Sequence, residues 1–130
     1  MKQQDKQALI NYRIQKSKET IVDAKLALDN NRLGNTLNRI YYSIFYIVTA
    51  LAQKNDFSTS KHMQLMGWFK VNYIKNGKIN ISLWDTYKEA FDNRQESDYK
   101  DFVVLNKSEI EQQFDDMLVF VSEIEKFINE

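Results

Sequence analysis

The chain has 130 residues, 43% of them apolar and 28% charged, with 18 basic and 18 acidic side chains and neither cysteine nor proline. A chain of this length buries roughly two thirds of its unfolded surface around one core, which predicts a single domain over 1–130. The missing thiols exclude a disulfide framework and a thiolate metal site, three glycines without proline are too few turn residues for a sandwich or barrel, and the balanced charge excludes a uniformly basic nucleic-acid coat.

Period and punctuation predict about five helices in an all-α, up-and-down bundle. The first runs from about Gln4 to Asp29, mostly polar, with Ala8, Tyr12, Ile21, Ala24 and Leu28 as a thin apolar stripe. Asn30-Asn31-Arg32-Leu33-Gly34 reads as its stop, because Asn and Gly tolerate the left-handed cap conformation. Helix two follows from about Asn35 to Gln53. Its Leu37, Ile40, Tyr41, Ile44, Phe45, Val48 and Leu51 recur at three and four residues, the pattern of a helix buried on most of its circumference. Its apolar run, Ile40 to Ala52, is about 13 residues. A bilayer span needs about 20, so it reads as a core helix. The polar start Met1-Lys2-Gln3-Gln4-Asp5-Lys6 is unlike a signal peptide, and the expectation is a cytoplasmic protein without a membrane partner.

Helix three begins near Lys61, with Leu65, Met66, Phe69 and Tyr73 inward, and stops at Lys75-Asn76-Gly77-Lys78, where Gly77 suits the position after a C-cap. Ile79-Asn80-Ile81 reads as an apolar-anchored connector. Ser82 is the expected N-cap of helix four, along whose side Trp84, Tyr87, Phe91 and Arg94 follow. Ser108 with Glu111 reads as a capping box for helix five. That helix carries Ile110, Phe114, Met117, Val121, Ile124 and Ile128 at steps of four and three, a seam suited to antiparallel packing. Residues 1–65 hold ten Lys or Arg against five Asp or Glu, and residues 66–130 eight against thirteen. Such a gradient gives either a local basic surface or oppositely charged helices side by side.

Chemistry-bearing patterns are few. His62 is the only histidine, so metal sites built on paired His or Glu-X-X-His cannot be assembled, and no glycine-rich phosphate loop or nucleophile elbow occurs. No metal and no cofactor are expected. Three constellations remain. Arg39, with Tyr42 and Ser43 three and four residues on, places guanidinium, phenol and hydroxyl on one face that fits a phosphate. Equally, Tyr41, Tyr42 and Phe45 read as core with Arg39 paired to an acid. Thr59-Ser60-Lys61-His62 sets hydroxyls and a cation at a helix N-terminus, suited to an anion or to ordinary capping. Phe91 to Tyr99 holds an Arg94–Asp98 pair at i,i+4, with Phe91 on the same face.

In this order, Asn38-Arg39-Ile40-Tyr41-Tyr42-Ser43-Ile44-Phe45, then Ser60-Lys61-His62, then Arg94 with Asp98-Tyr99, the motifs resemble the HEPN domain. They are most similar to its prokaryotic branch, often found beside a minimal nucleotidyltransferase and including toxin relatives. The resemblance spans about Leu33 to Tyr99, and the long flanking helices suit it.

The resemblance implies a HEPN-type bundle that homodimerises, with Arg94 near the dimer cleft. In catalytic members, an Arg followed four to six residues later by His cleaves RNA without a metal. The Arg stabilises phosphate charge, and the His moves a proton during attack by the 2′-hydroxyl. Here Asp98, Tyr99, Lys100 and Asp101 stand four to seven residues beyond Arg94. The remaining source of an imidazole is His62, set against Arg94 or against the partner subunit's Arg94. Tyr99 is the nearest match to the tyrosine that accepts nucleotidyl groups in the toxin relatives. The expected catalytic residues are therefore Arg94 and His62, and the expected binding residues Arg39, Tyr42, Lys61, Asp98 and Tyr99. The implied partners are a second copy, a nucleotidyltransferase, and RNA or a nucleotide. The alternative is a non-catalytic HEPN-fold binding or dimerisation module, in which these polar residues hold the bundle or its dimer together. Trp68, Tyr73, Trp84 and Phe102 fit either a dimer interface or the core.

Overall fold

The architecture is organised around the second helix, whose residues Ile47 through Gln53 are buried without a break. The computed structural model describes residues 2–99 and 105–130, with side chains for all of these but 95–99. In it α1 spans Gln3–Asp29, α2 Leu33–Lys54, α3 His62–Phe69 with a π-helical continuation Lys70–Ile74, α4 Ile81–Tyr99 and α5 Lys107–Ile128. The all-α expectation holds, and no strand occurs among the described residues.

The α1–α2 hairpin turns on Asn31, which takes the left-handed conformation at φ 57°. Because Asn31 carries that turn, α2 restarts at Leu33 and Gly34 falls inside its first turn, two residues earlier than the sequence suggests. The two helices run antiparallel. Ser17 Oγ donates to the Ser43 carbonyl at 2.8 Å, Arg13 Nη1 to the Thr49 carbonyl at 3.2 Å, and Lys6 pairs with Asp56 at 3.0 Å. The buried face of α1 is Ile10, Ser17, Thr20, Ala24 and Leu28. Small residues let the backbones approach closely, and each buried hydroxyl is bonded to a carbonyl. Tyr12, expected on the inner stripe, instead stands 61% exposed.

α5 runs parallel to α2: Lys107 Nζ donates to Asn31 Oδ1 at one end, and Lys54 Nζ to the Phe127 carbonyl at the other. The latter sets a cation on the negative end of the α5 dipole. All six seam residues of α5 are buried, joined by Phe120. Burial of such side chains contributes roughly 1.5–3 kcal/mol each. α4 lies antiparallel to α5, with Asn93 bonded to Gln113 and Tyr87 packed on Phe120. The up-and-down arrangement follows.

Two caps are displaced from their expected positions. Asn80, not Ser82, accepts from the Ser82 N–H at the start of α4. Asn106, not Ser108, accepts from the Glu109 N–H at the start of α5, and Ser108 Oγ donates to the same Asn106 oxygen. In both cases Asn lies two residues upstream of Ser and reaches the first free N–H groups before it. Gly77 has φ 76°, the left-handed residue expected after α3. Tyr73 is buried and bonded to Asn55, Trp68 stacks on Phe57 at 5.4 Å, and Lys70 lies over Trp84. These three aromatics are engaged within the chain, and Phe102 lies outside the described residues.

Candidate functional site

Three helices converge where Tyr41, Tyr42 and Phe45 of α2 meet His62, the first residue of α3, and Phe91 and Arg94 of α4. The helical period of α2 turns Tyr41 fully inward and leaves Tyr42 and Phe45 half-buried beside it. Their rings lie 5.2 Å (Tyr41–Tyr42) and 5.8 Å (Tyr42–Phe45) apart at steep interplanar angles, an aromatic wall that the α3 N-terminus closes.

His62 is held from several sides. Its ring stacks on Phe45 at 4.5 Å and on Tyr41 at 5.5 Å, and meets Tyr42 edge-on. Its Nδ1 shares a 2.5 Å hydrogen bond with the Tyr41 hydroxyl. Nε2 has no hydrogen-bond partner among the described residues. Arg94 comes from the opposite helix. Its guanidinium carbon stands 5.0 Å from the Tyr41 ring centre, 5.7 Å from that of Tyr42 and 5.8 Å from that of Phe91, and Nη1 donates to Tyr42 Oη at 3.2 Å. Rings on several sides fix the guanidinium through cation–π attraction and exclude water from part of its surface.

The electrostatics follow from this crowding. Burial, and next the nearby Arg94 charge, hold the His62 imidazole below its usual pKa, so it is neutral at pH 7. Burial drives the Tyr41 phenol well above the usual tyrosine value, although Arg94 pulls the other way, so Tyr41 stays protonated. Both tautomers of neutral His62 satisfy the contact. Either Tyr41 donates to Nδ1 and Nε2 carries the proton, or Nδ1–H donates to Tyr41 and Nε2 is left as a base.

The residues expected from sequence are placed as follows. Arg94, His62 and Tyr42 come together from three helices. Arg39 also lies over Tyr42, 5.3 Å from its ring centre, with its guanidinium bonded to Asn38 Oδ1 and to no acid among the described residues. Ser43 is turned away from this group and donates to the Arg39 carbonyl. Lys61 is exposed next to His62 as the N-cap of α3, and its backbone N–H donates to Thr59 Oγ1 within the loop, while no side chain caps the free N–H groups of α3 among the described residues. The side chains of Asp98 and Tyr99 lie outside the described residues. Tyr41 is the member that sequence reasoning assigned to the core alone. Its spacing fits burial and gives no sign that its hydroxyl meets a histidine 21 residues on. Among the described residues no three His, Cys, Asp or Glu side chains cluster as metal ligands, and no helix is long and apolar enough to cross a membrane.

An up-and-down helical bundle with an arginine and a histidine set on a tyrosine pair defines a small all-α protein with a polar–aromatic side-chain cluster where three helices meet. The family model of the HEPN domain matches residues 10–129, and the chain belongs to that family. It is 34% identical over 126 residues to a UPF0332 protein of Thermotoga maritima, covering 97% of this chain and 96% of that one. It is 25% identical over 115 residues to a Methanocaldococcus jannaschii protein named "Putative toxin MJ0142", covering 88% and 78% respectively.

Proposed function

We propose that the protein is the toxin-like HEPN member of a pair with a nucleotidyltransferase, a homodimer whose cleft engages the phosphate of RNA through Arg94 and His62. The observation that carries this reading is the meeting of Arg94 and His62 on Tyr41 and Tyr42, from helices separated in sequence. The resemblance to a relative named as a toxin supports it.

The chemistry uses groups already positioned. With Nδ1–H donated to Tyr41, Nε2 accepts the proton of an RNA 2′-hydroxyl. The 2′-oxygen attacks the adjacent phosphorus, the bond to the 5′-oxygen breaks, and that oxygen leaves with a proton from water. The products are a 2′,3′-cyclic phosphate and a 5′-hydroxyl. Arg94 stabilises the charge that builds on the non-bridging oxygens. A phosphate between Arg94 and His62 also offsets the repulsion that would otherwise resist protonation of His62. Arg39 and Lys61 flank the cleft as further cations for the RNA backbone, and Tyr99 is the acceptor for nucleotidyl transfer by the partner enzyme.

The test is cleavage of RNA in EDTA by wild type, Arg94→Ala and His62→Ala prepared identically. The reading predicts cleavage by wild type and a loss of about 100-fold or more in each variant, the scale of a general base or a charge-stabilising donor. Intact RNA with the wild type sinks the catalytic reading in favour of a binding module. For the dimer, a 15.5 kDa species at all micromolar concentrations in sedimentation would count against it.

A further inference from the structure

Beside the cleft, and sharing Phe45 with it, lies a groove of about 450 Å³ between α1, α2 and the α2–α3 loop. Its walls are Tyr12 and Arg13 from α1 and Phe45 and Tyr46 from α2, closed by the Ser58-Thr59-Ser60 loop. Phe45 presents one part of its ring to His62 at 4.5 Å and lies 5.7 Å from Tyr46. The groove is therefore the continuation of the Arg94–His62 site along α2. From Tyr42 through Tyr46 to Thr49 is one to two helical turns, roughly 6–10 Å at 1.5 Å per residue.

Two features of this groove are unexplained by the bundle. Tyr12 is 61% exposed, a large ring placed at the groove edge rather than in the core. Arg13 is half-buried, which lowers its pKa, yet it pairs with no carboxylate among the described residues. Its Nη1 donates to the Thr49 carbonyl and to Gln53 Oε1, both at 3.2 Å. Nε and Nη2 make no hydrogen bond among the described residues. A partly desolvated guanidinium needs hydrogen-bonded or anionic company. Here its company is two uncharged oxygens, so a planar fork of donors remains for an anion.

We propose that this groove is a nucleotide subsite for single-stranded RNA. The base of the nucleotide next to the phosphate at Arg94 and His62 stacks on Tyr12 and Tyr46, and its own phosphate takes the remaining donors of Arg13. Tyrosine faces accept any base, and a guanidinium matches phosphate in a bidentate way, so the subsite selects unpaired strand rather than sequence. The Ser58 and Ser60 hydroxyls of the loop suit the ribose, whereas Thr59 Oγ1 is taken up by Gln64 and the Lys61 N–H. A duplex cannot offer an unstacked base to such a groove. This subsite rests on the reading of Arg94 and His62 as a phosphate site, and the experiment separates the two.

Fluorescence anisotropy would compare a single-stranded RNA octamer with an abasic octamer and a blunt duplex, using full-length wild type, Tyr12→Ala, Arg13→Gln and Arg94→Ala. Circular dichroism melting would confirm that each variant is folded. Tyr12 is exposed, so Tyr12→Ala leaves the core intact. The expectation is that Tyr12→Ala weakens single-strand binding about 5- to 150-fold, the loss of one base–aromatic stack, and leaves abasic binding unchanged. Arg13→Gln weakens both single-stranded ligands and flattens the salt dependence by about one phosphate contact. Binding that falls in Arg94→Ala but not in Tyr12→Ala or Arg13→Gln overturns the groove and leaves the Arg94–His62 site standing. Binding that falls in the groove variants alone supports the groove as a nucleotide site and counts against Arg94. Equal binding of duplex and single strand, or no binding by wild type, overturns the subsite.

Discussion

Tyr41→Phe isolates the bond on which the arrangement of His62 depends. The substitution keeps the ring, and with it the contacts to Tyr42 at 5.2 Å, Phe91 at 5.6 Å and the Arg94 guanidinium at 5.0 Å. Only the hydroxyl that meets His62 Nδ1 is lost. One net hydrogen bond contributes about 0.5–1.5 kcal/mol, and this one holds a half-buried imidazole, so the expected cost is about 1 kcal/mol. Tyr41→Ala removes a ring that is 0% exposed and leaves a cavity, at about 3–5 kcal/mol. Urea unfolding followed by circular dichroism should show a midpoint shift for Tyr41→Phe about a quarter of that for Tyr41→Ala, at unchanged m-value. A Phe variant as unstable as the Ala variant would refute the division between ring and hydroxyl. A Phe variant as stable as wild type would show that the Tyr41–His62 bond contributes nothing.

Two further outcomes follow from the same geometry. His62 titrates in the folded protein below its usual 6.5, so between the two values the unfolded chain binds more protons and stability rises with pH. The contribution is complete above 6.5 and is lost as pH falls through that window, so urea stability of wild type relative to His62→Gln should decline from pH 7.5 to 5; an increase on acidification would contradict the shift. At the start of α5, Asn106→Ala should cost about 1 kcal/mol and Ser108→Ala less, because Asn106 accepts from the Glu109 N–H; the reverse order in thermal melts would restore Ser108 as the cap.

The elements built on large apolar residues were legible in the sequence. The α5 seam and the α2 circumference follow from hydrophobic period alone, and both are buried as that period requires save for Phe45, which is half-buried against His62. The inner face of α1 was not legible, because Ser17, Thr20 and Ala24 carry little hydropathy and are buried by close approach to α2, with the Ser17 hydroxyl bonded to an α2 carbonyl and that of Thr20 to the Lys16 carbonyl of α1 itself. Tyr12 misleads for the complementary reason: it is apolar by type but lies on the groove side, away from Ile10 and Ala24. Local capping failed where Asn and Ser compete within two residues, since both satisfy the same rule and only backbone geometry chooses between them.

The site was half legible. Arg94 and His62 could be named from residue type and from the resemblance, but their approach depends on how α3 and α4 pack across α2, which no local pattern encodes. Tyr41, the link between them, has the spacing of any core residue. Arg13 reads in the sequence as one charge among many on a polar helix. Only the tertiary contact with Thr49 and Gln53 shows it half-buried with no acid beside it among the described residues.

The most direct test of whether Arg94 and His62 form one phosphate site is the NMR titration of His62, the only imidazole in the chain and hence a single resolved curve. It would be recorded for wild type and Arg94→Gln, each with and without a short single-stranded RNA carrying 2′-deoxy sugars to prevent cleavage. The account predicts a wild-type midpoint below 6.5, a rise on removal of the Arg94 charge, and a rise in wild type when the phosphate binds that is absent in Arg94→Gln. A midpoint indifferent both to residue 94 and to the oligonucleotide would show that the two side chains do not act on one ligand.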